Sequence, residues 1–206
     1  NNFNYIPKNY ELGNNIDYLH VTSNNTIFGT QIKDFPKTDL PLVCDMSSDI
    51  FSRKINVADF DLIYAGAQKN MGPAGTTLYI FKKEILGKSS VPIPTMLNLK
   101  THADKDSMFN TPPVFAVYTS MLTLRWLKNN GGIVNIERKN QEKADLLYSE
   151  IDRNNLFEGT ANIEDRSNMN VTFTLKDETL KETFDNMLVD ANISGLKGHR
   201  SVGGYR

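Results

Sequence analysis

Four short apolar runs, each closed off by turn-forming residues, set the tightest limit on how the first half of this 206-residue chain can fold. "YLHVTSNN" (Tyr18 to Asn25), "LPLVCDMSS" (Leu40 to Ser48), "FDLIYAGA" (Phe60 to Ala67) and "TTLYIFK" (Thr76 to Lys82) have strand length and are rich in strand-favouring residues. Three of them are nearly continuous in apolar residues, the pattern of strands covered on both faces. The connection "SSDIFSRKINVADF" is too short and broken for a good crossover helix. Part of the pairing is therefore expected to be antiparallel or indirect.

Helical patterns take over after about residue 112. "NTPPVFAVYTSMLTLRWLKNNGG" opens with Asn, Thr and two prolines and closes with Asn-Asn-Gly-Gly, which are helix start and stop signals. Trp126, within that run, reads as a core residue. Ile133, Ile136, Ala144, Leu147 and Ile151 mark one face of a second helix ending near Asn154. "NMNVTFTL" reads as a strand, "DETLKETFDNMLVDAN" as a helix and "ISGLKG" as a short strand. The change from strands to helices places a boundary near Gly131, giving an α/β region over 1–130 and a smaller α+β region over 131–206.

Scattered charges summing to a formal −1 offer no basic face for nucleic acid. No apolar run approaches the roughly 18 residues of a membrane span. The single cysteine, Cys44, has neither a disulfide partner nor zinc-type companions. A soluble cytoplasmic protein is expected, with no nucleic acid or membrane partner. Asn1 is not an initiator, and Arg206 closes a Gly-rich segment, so the chain reads as a piece of something longer.

Three places carry chemistry that a packed core does not require. In "LIYAGAQKNMGPAG", Lys69 follows an apolar run and is flanked by Gly66, Gly72, Pro73 and Gly75, which let the backbone turn sharply. Burial beside the strand would favour the neutral amine, the form that attacks carbonyls. On spacing alone, such a lysine is more often a solvated surface residue, and the glycines do not form a Walker loop. In "LPLVCDMSS", Asp45 sets a carboxylate at a strand end, where a charge needs a partner, a capping role or a task. An amine and a carboxylate at the ends of two buried strands are what a pyridoxal phosphate enzyme uses, one to form an imine and one to keep the pyridine nitrogen protonated. Finally, "GLKGHRSVGGYR" sets His199, Arg200 and Arg206 among glycines, suited to carboxylate or phosphate or simply to a basic tail. His20 and His102 have no partners in sequence and read as incidental.

Taken together with "SNNTIFGTQ" (Ser23 to Gln31), "CDMSS", "SMFNTPP" (Ser107 to Pro113) and "LKNNGG" (Leu127 to Gly132), these motifs resemble the phosphoserine aminotransferase family, in its order and over essentially the whole chain. The resemblance implies a fold-type-I, class V aminotransferase fold and pyridoxal 5'-phosphate as cofactor. It implies that Lys69 forms the Schiff base, that Gln68 contacts the cofactor phosphate region, and that Asp45 pairs with the pyridine nitrogen. Thr26 would lie against the ring. Asn110 and Thr111 would reach the cofactor phosphate of a partner subunit in a homodimer with shared active sites. His199 and Arg200 would take the substrate phosphate and Arg206 its α-carboxylate. The implied reaction is transamination of O-phospho-L-serine with 2-oxoglutarate, giving 3-phosphooxypyruvate and glutamate in serine biosynthesis. The phosphorylated threonine analogue of vitamin B6 synthesis is a second implied substrate. The family's upstream phosphate-cupping Gly-Arg loop, its stacking tryptophan and an N-terminal arginine have no counterpart in these residues, since Trp126 lies in another motif. Two alternatives stay open: another class V enzyme, such as an alanine–glyoxylate type, and a cofactor-free fragment with a structural role.

Overall fold

The computed structural model describes residues 3–206. In chain order its strands are β1 (Leu19–Thr22), β2 (Asn24–Asn25), β3 (Thr30–Gln31), β4 (Leu42–Asp45), β5 (Leu62–Gly66), β6 (Thr77–Phe81), β7 (Phe157–Gly159) and β8 (Phe173–Leu175). Its α-helices are α1 (Leu99–Ala103), α2 (Val114–Asn129), α3 (Gly132–Arg153) and α4 (Lys181–Asp190). The chain divides into two compact units. One comprises Asn14–Val21 and Lys37–Ile133. The other comprises Asn1–Gly13, Thr22–Pro36 and Val134–Arg206.

The first unit is built on a four-stranded sheet of order β1-β4-β5-β6. β4 and β5 are parallel, with Asp45 opposite Tyr64, whereas β5 and β6 are antiparallel. No α-helix links β4 to β5. The connection is a series of turns and one 3-10 turn over Val57–Asp59, in keeping with its broken apolar pattern. Leu42 and Cys44 on β4 and Ile63 and Ala65 on β5 are buried in alternation with half-buried neighbours. Within this chain these strands are fully covered on one face only, not on the two faces that near-continuous apolar runs imply. Both faces of a run can be apolar while only one meets a partner.

α2 starts after Pro113, whose fixed φ suits the entrance to a helix. Ala116 is its buried residue, and Phe115, Tyr118, Leu122 and Trp126 are exposed. Trp126 is therefore not the core residue its apolar surroundings suggested. Helical periodicity places residues on a common face, but cannot say which face a neighbour covers.

The second unit packs α3 and α4 around the β7–β8 hairpin. Ala144, Tyr148, Ile151, Phe173, Leu175, Leu188 and Tyr205 form its core. The buried line on α3 runs Asn140, Ala144, Tyr148, Ile151, a spacing of four, four and three. Tyr148 thus occupies the position assigned to Leu147, which is exposed. "ISGLKG" is not a strand: Gly195 stands at φ +77°, and the segment contributes an isolated bridge, Lys197↔Tyr205.

A buried polar network holds the β2–β3 hairpin in this unit. Ser167 Oγ donates to Asn24 Oδ1, Asn24 Nδ2 donates to Asn170 Oδ1 at 2.8 Å, and Thr172 Oγ1 donates to the Phe28 carbonyl at 3.1 Å. Gly29, at φ +72°, fits where an added Cβ would stand 2.2 Å from Thr172 Oγ1 and 2.9 Å from the Asn170 carbonyl. Gly29→Ala adds backbone strain to overpacking and is expected to destabilise the unit by about 1–3 kcal/mol. Chemical denaturation would show this as a lower midpoint at unchanged slope, and a midpoint equal to the parent's would contradict it.

Arg166 braces the same unit. Its guanidinium donates to both oxygens of Asp152, at 2.6 and 2.7 Å, and stands over the Tyr148 ring at 4.5 Å. The Arg166 hydrogen bond, then its charge, holds the Asp152 carboxyl below its ordinary 3.8. A lowered folded value means that this contribution is complete above the ordinary value and is lost as pH falls through the folded one. Asp152→Asn should therefore cost on the order of 1 kcal/mol at neutral pH and flatten the acid limb of the stability profile. An unchanged acid limb would contradict the pairing.

Candidate active site

Asp45 and Lys69 follow from one piece of topology. β4 and β5 run side by side in the same direction, and their carboxyl ends are where open α/β sheets place ligands. Asp45 is the last residue of β4 and is half-buried. Its Oδ1 accepts the Ser47 N–H at 2.8 Å, and Ser47 Oγ in turn accepts the Gly66 N–H at 3.0 Å. The ends of the two strands are thereby tied together.

Beyond β5 the chain turns tightly. The Ala67 carbonyl accepts the N–H groups of Met71 at 3.1 Å and Gly72 at 2.9 Å, and Asn70 Nδ2 donates to the Ile50 carbonyl at 2.9 Å. Lys69 lies in this turn beside Gln68, and both side chains are exposed. The expectation of a buried amine is thus corrected: within this chain the turn leaves Lys69 exposed. An added Cβ at Gly66 would stand 2.5 Å from Gln68 Oε1, so the exposed Gln68 side chain would have to swing aside. At Gly72 a Cβ would stand 2.8 Å from Ser120 Oγ on α2 and 3.2 Å from its backbone. Gly72 thus serves close packing of the turn as well as its bend.

The sequence did not single out Tyr64, which lies opposite Asp45 on β5. Burial, then the Asp45 charge and a hydrogen bond to that carboxylate, raises the Tyr64 phenol above its ordinary value. His20 Nε2 stands 3.1 Å from the same hydroxyl. His20, read as incidental, is therefore connected through Tyr64 to Asp45. The alternation of β5 places Tyr64 on the half-buried face, but only the strand register reveals its partner.

Asn110 and Thr111 also belong to this unit, in the exposed loop between α1 and α2, where Asn110 Nδ2 donates to the Thr111 carbonyl at 3.0 Å. They stand on a different loop from Asp45 and Lys69.

The second unit carries Thr26, His199, Arg200 and Arg206. Thr26 is in the β2–β3 turn, shaped by Asn25 Oδ1 accepting the N–H groups of Ile27 and Phe28 at 3.1 and 3.2 Å. Arg206 Nη1 donates to the Thr26 carbonyl at 3.5 Å, so these two residues meet. His199 and Arg200 lie in the loop before Arg206, where the His199 carbonyl accepts from Val202 at 2.9 Å and Gly203 at 2.8 Å. His199 Nδ1 is 2.7 Å from Ser201 Oγ, and Arg200 is exposed. The fold thus groups Asp45 with Lys69 and Gln68 in one unit, and Thr26 with Arg206 in the other.

Each stem of that loop is anchored. Tyr205 is buried, with its hydroxyl donating to Asp185 Oδ1 at 2.9 Å. Burial first, then Asp185, pushes its phenol up to about 12. The Lys197 hydrogen bond, followed by that from Tyr205, holds Asp185 below the usual carboxylate range.

Residues 7–204 match the family model described as aminotransferase class-V. A phosphoserine aminotransferase of Flavobacterium psychrophilum is 65% identical over 205 residues, which cover 100% of this chain and 58% of the relative. A solved phosphoserine aminotransferase, studied for radiation damage of its Schiff base, superposes with a TM-score of 0.94 at 47% identity over 99% of this chain and 58% of its own. A pyridoxal-phosphate-bound phosphoserine aminotransferase from Trichomonas vaginalis superposes with a TM-score of 0.89 at 34% identity, covering 95% of this chain and 56% of its own. The chain therefore spans a little over half the length of the relatives it matches. It belongs to the aminotransferase class-V family.

Proposed function

We propose that this chain is the part of a phosphoserine aminotransferase that carries the amine and the acid of the active site. The observation that carries the proposal is the placement of Asp45 and the Lys69 turn after the carboxyl ends of two adjacent parallel strands. The donor set fits pyridoxal phosphate at two of its ends: a strand-end carboxylate for a ring nitrogen and a primary amine for an aldehyde. That cofactor, when bound, supplies an electron-poor ring that accepts negative charge from the substrate α-carbon.

In this reading Asp45 holds a proton on the ring nitrogen, and Tyr64, bonded to Asp45, orients the carboxylate. Lys69 Nζ would be the covalent attachment point for the aldehyde, and its free amine would be the base that takes the proton from the substrate α-carbon and the acid that gives it back. Gln68 binds near the cofactor phosphate, and Thr26 supports the ring. Asn110 and Thr111 serve the cofactor phosphate of the partner subunit in a homodimer. Arg200 and His199 bind the substrate phosphate, and Arg206 binds its α-carboxylate, because a planar guanidinium matches both anions in a forked geometry.

The proposed substrates are O-phospho-L-serine and 2-oxoglutarate, with 3-phosphooxypyruvate and glutamate as products, in cytoplasmic serine biosynthesis. A phosphorylated hydroxythreonine of vitamin B6 synthesis is a proposed second substrate. The high identity to curated relatives of that name supports the choice of phosphoserine, and the His-Arg pair favours a phosphorylated acid over alanine. The test is turnover by the full-length enzyme with phosphoserine against alanine as amino donor. Turnover confined to phosphoserine is expected, whereas equal rates for the two donors would reject the phosphate role.

A further inference from the structure

One carboxylate touches both stems of the loop that bears His199, Arg200 and Arg206. Asp185 of α4 receives the Tyr205 hydroxyl on Oδ1 at 2.9 Å and faces Lys197 Nζ from Oδ2 at 3.0 Å. Lys197 and Tyr205 are themselves bridged through the backbone, with Gly198 N–H donating to the Gly204 carbonyl at 2.8 Å and Arg206 N–H to the Leu196 carbonyl at 2.7 Å. The loop narrows at its base because Gly198 has no Cβ, which would otherwise stand 2.1 Å from the Gly203 carbonyl.

The Tyr205 ring is locked from several sides. It stacks on Phe173 with centroids 5.4 Å apart and an angle of 25°, and it meets Phe184 edge-on at 4.9 Å. Its backbone exchanges both hydrogen bonds with Phe173, at 2.9 and 3.1 Å. Arg206 follows directly, so fixing Tyr205 fixes where the Arg206 side chain begins. The opposite stem leads through Lys197 and Gly198 straight to His199 and Arg200.

We propose that Asp185 is a positioning residue that, by gripping Lys197 and Tyr205 together, holds the His199–Arg206 loop in its anion-receiving shape. The proposal rests on the reading of His199, Arg200 and Arg206 as the substrate's anion partners. Its physical basis is preorganisation. A loop already ordered in the free protein does not lose its conformational freedom when substrate arrives, and that saving appears as affinity. Asp185 meets the loop at its stems, through Lys197 and Tyr205, so its loss should loosen the loop without altering the reacting groups.

The test uses the full-length holoenzyme carrying Asp185→Ala, with Asp185→Asn and Tyr205→Phe as milder variants that keep part of the grip. Two readouts are compared: trypsin cleavage after Arg200, and the split between KM and kcat for phosphoserine. In Asp185→Ala both cleavage rate and KM are expected to rise about 10-fold while kcat changes less than about 3-fold, with the milder variants in between. Unchanged cleavage would overturn the grip. Faster cleavage with unchanged KM, where Arg200→Ala does raise KM, would overturn the positioning role. If Arg200→Ala leaves the phosphoserine KM unaltered, it is the anion reading that fails, and cleavage after Arg200 still decides whether Asp185 orders the loop.

Discussion

Alanine in place of Lys69 is expected to lower turnover by the full-length enzyme at least about 10⁴-fold. The amine is assigned two tasks, holding the cofactor and moving the α-proton, and proton transfer by a positioned group is by itself worth about 10²–10⁴. Stability should hardly change. The turn is closed by backbone bonds to the Ala67 carbonyl and by Asn70 on Ile50, and truncating an exposed side chain generally costs within about 0.5 kcal/mol. Steady-state kinetics and a denaturation curve on the same preparation separate the two effects. A variant that keeps its fold and loses less than about 10-fold in rate would remove Lys69 from the chemistry.

Arg200→Ala is the second large effect, and it discriminates between substrates. Phosphoserine brings a phosphate and glutamate does not. Removing a charge-assisted hydrogen-bonding partner is worth about 1.5–3 kcal/mol, so the phosphoserine KM should rise roughly 10- to 100-fold. The glutamate KM should move less than about 3-fold. Arg200→Lys should recover only part of the loss, because a point charge cannot reproduce the forked contact. Equal losses for both amino donors would show that Arg200 acts on something common to them.

The elements that position Asp45 and Lys69 were legible because strand ends are written locally: an apolar run, then residues that turn. "LPLVCDMSS" and "FDLIYAGA" became β4 and β5, and the missing helix between them was visible as a broken pattern. What depends on neighbours distant in sequence was not legible. Whether Lys69 is buried is decided by what stands over the turn, and within this chain it is exposed. Asn24 and Ser167 bond across 143 positions, and nothing local to either residue shows that pairing. Tyr148 and Leu147 are adjacent and both largely apolar, and only packing shows which one the core takes. Asp185 is an ordinary helix carboxylate until Lys197 and Tyr205 are seen to converge on it. Tyr64 was hidden similarly, since its link to Asp45 exists only through the register of β4 with β5.

The relation between Lys69 and the cofactor is open to direct measurement. Full-length enzyme loaded with pyridoxal phosphate is reduced with borohydride, digested and mapped by mass spectrometry. The account predicts a pyridoxyl mass on the peptide spanning Gln68–Lys69–Asn70, located on Lys69 and absent from Lys69→Ala. A label on any other lysine, or no label on enzyme that still converts phosphoserine, would contradict it.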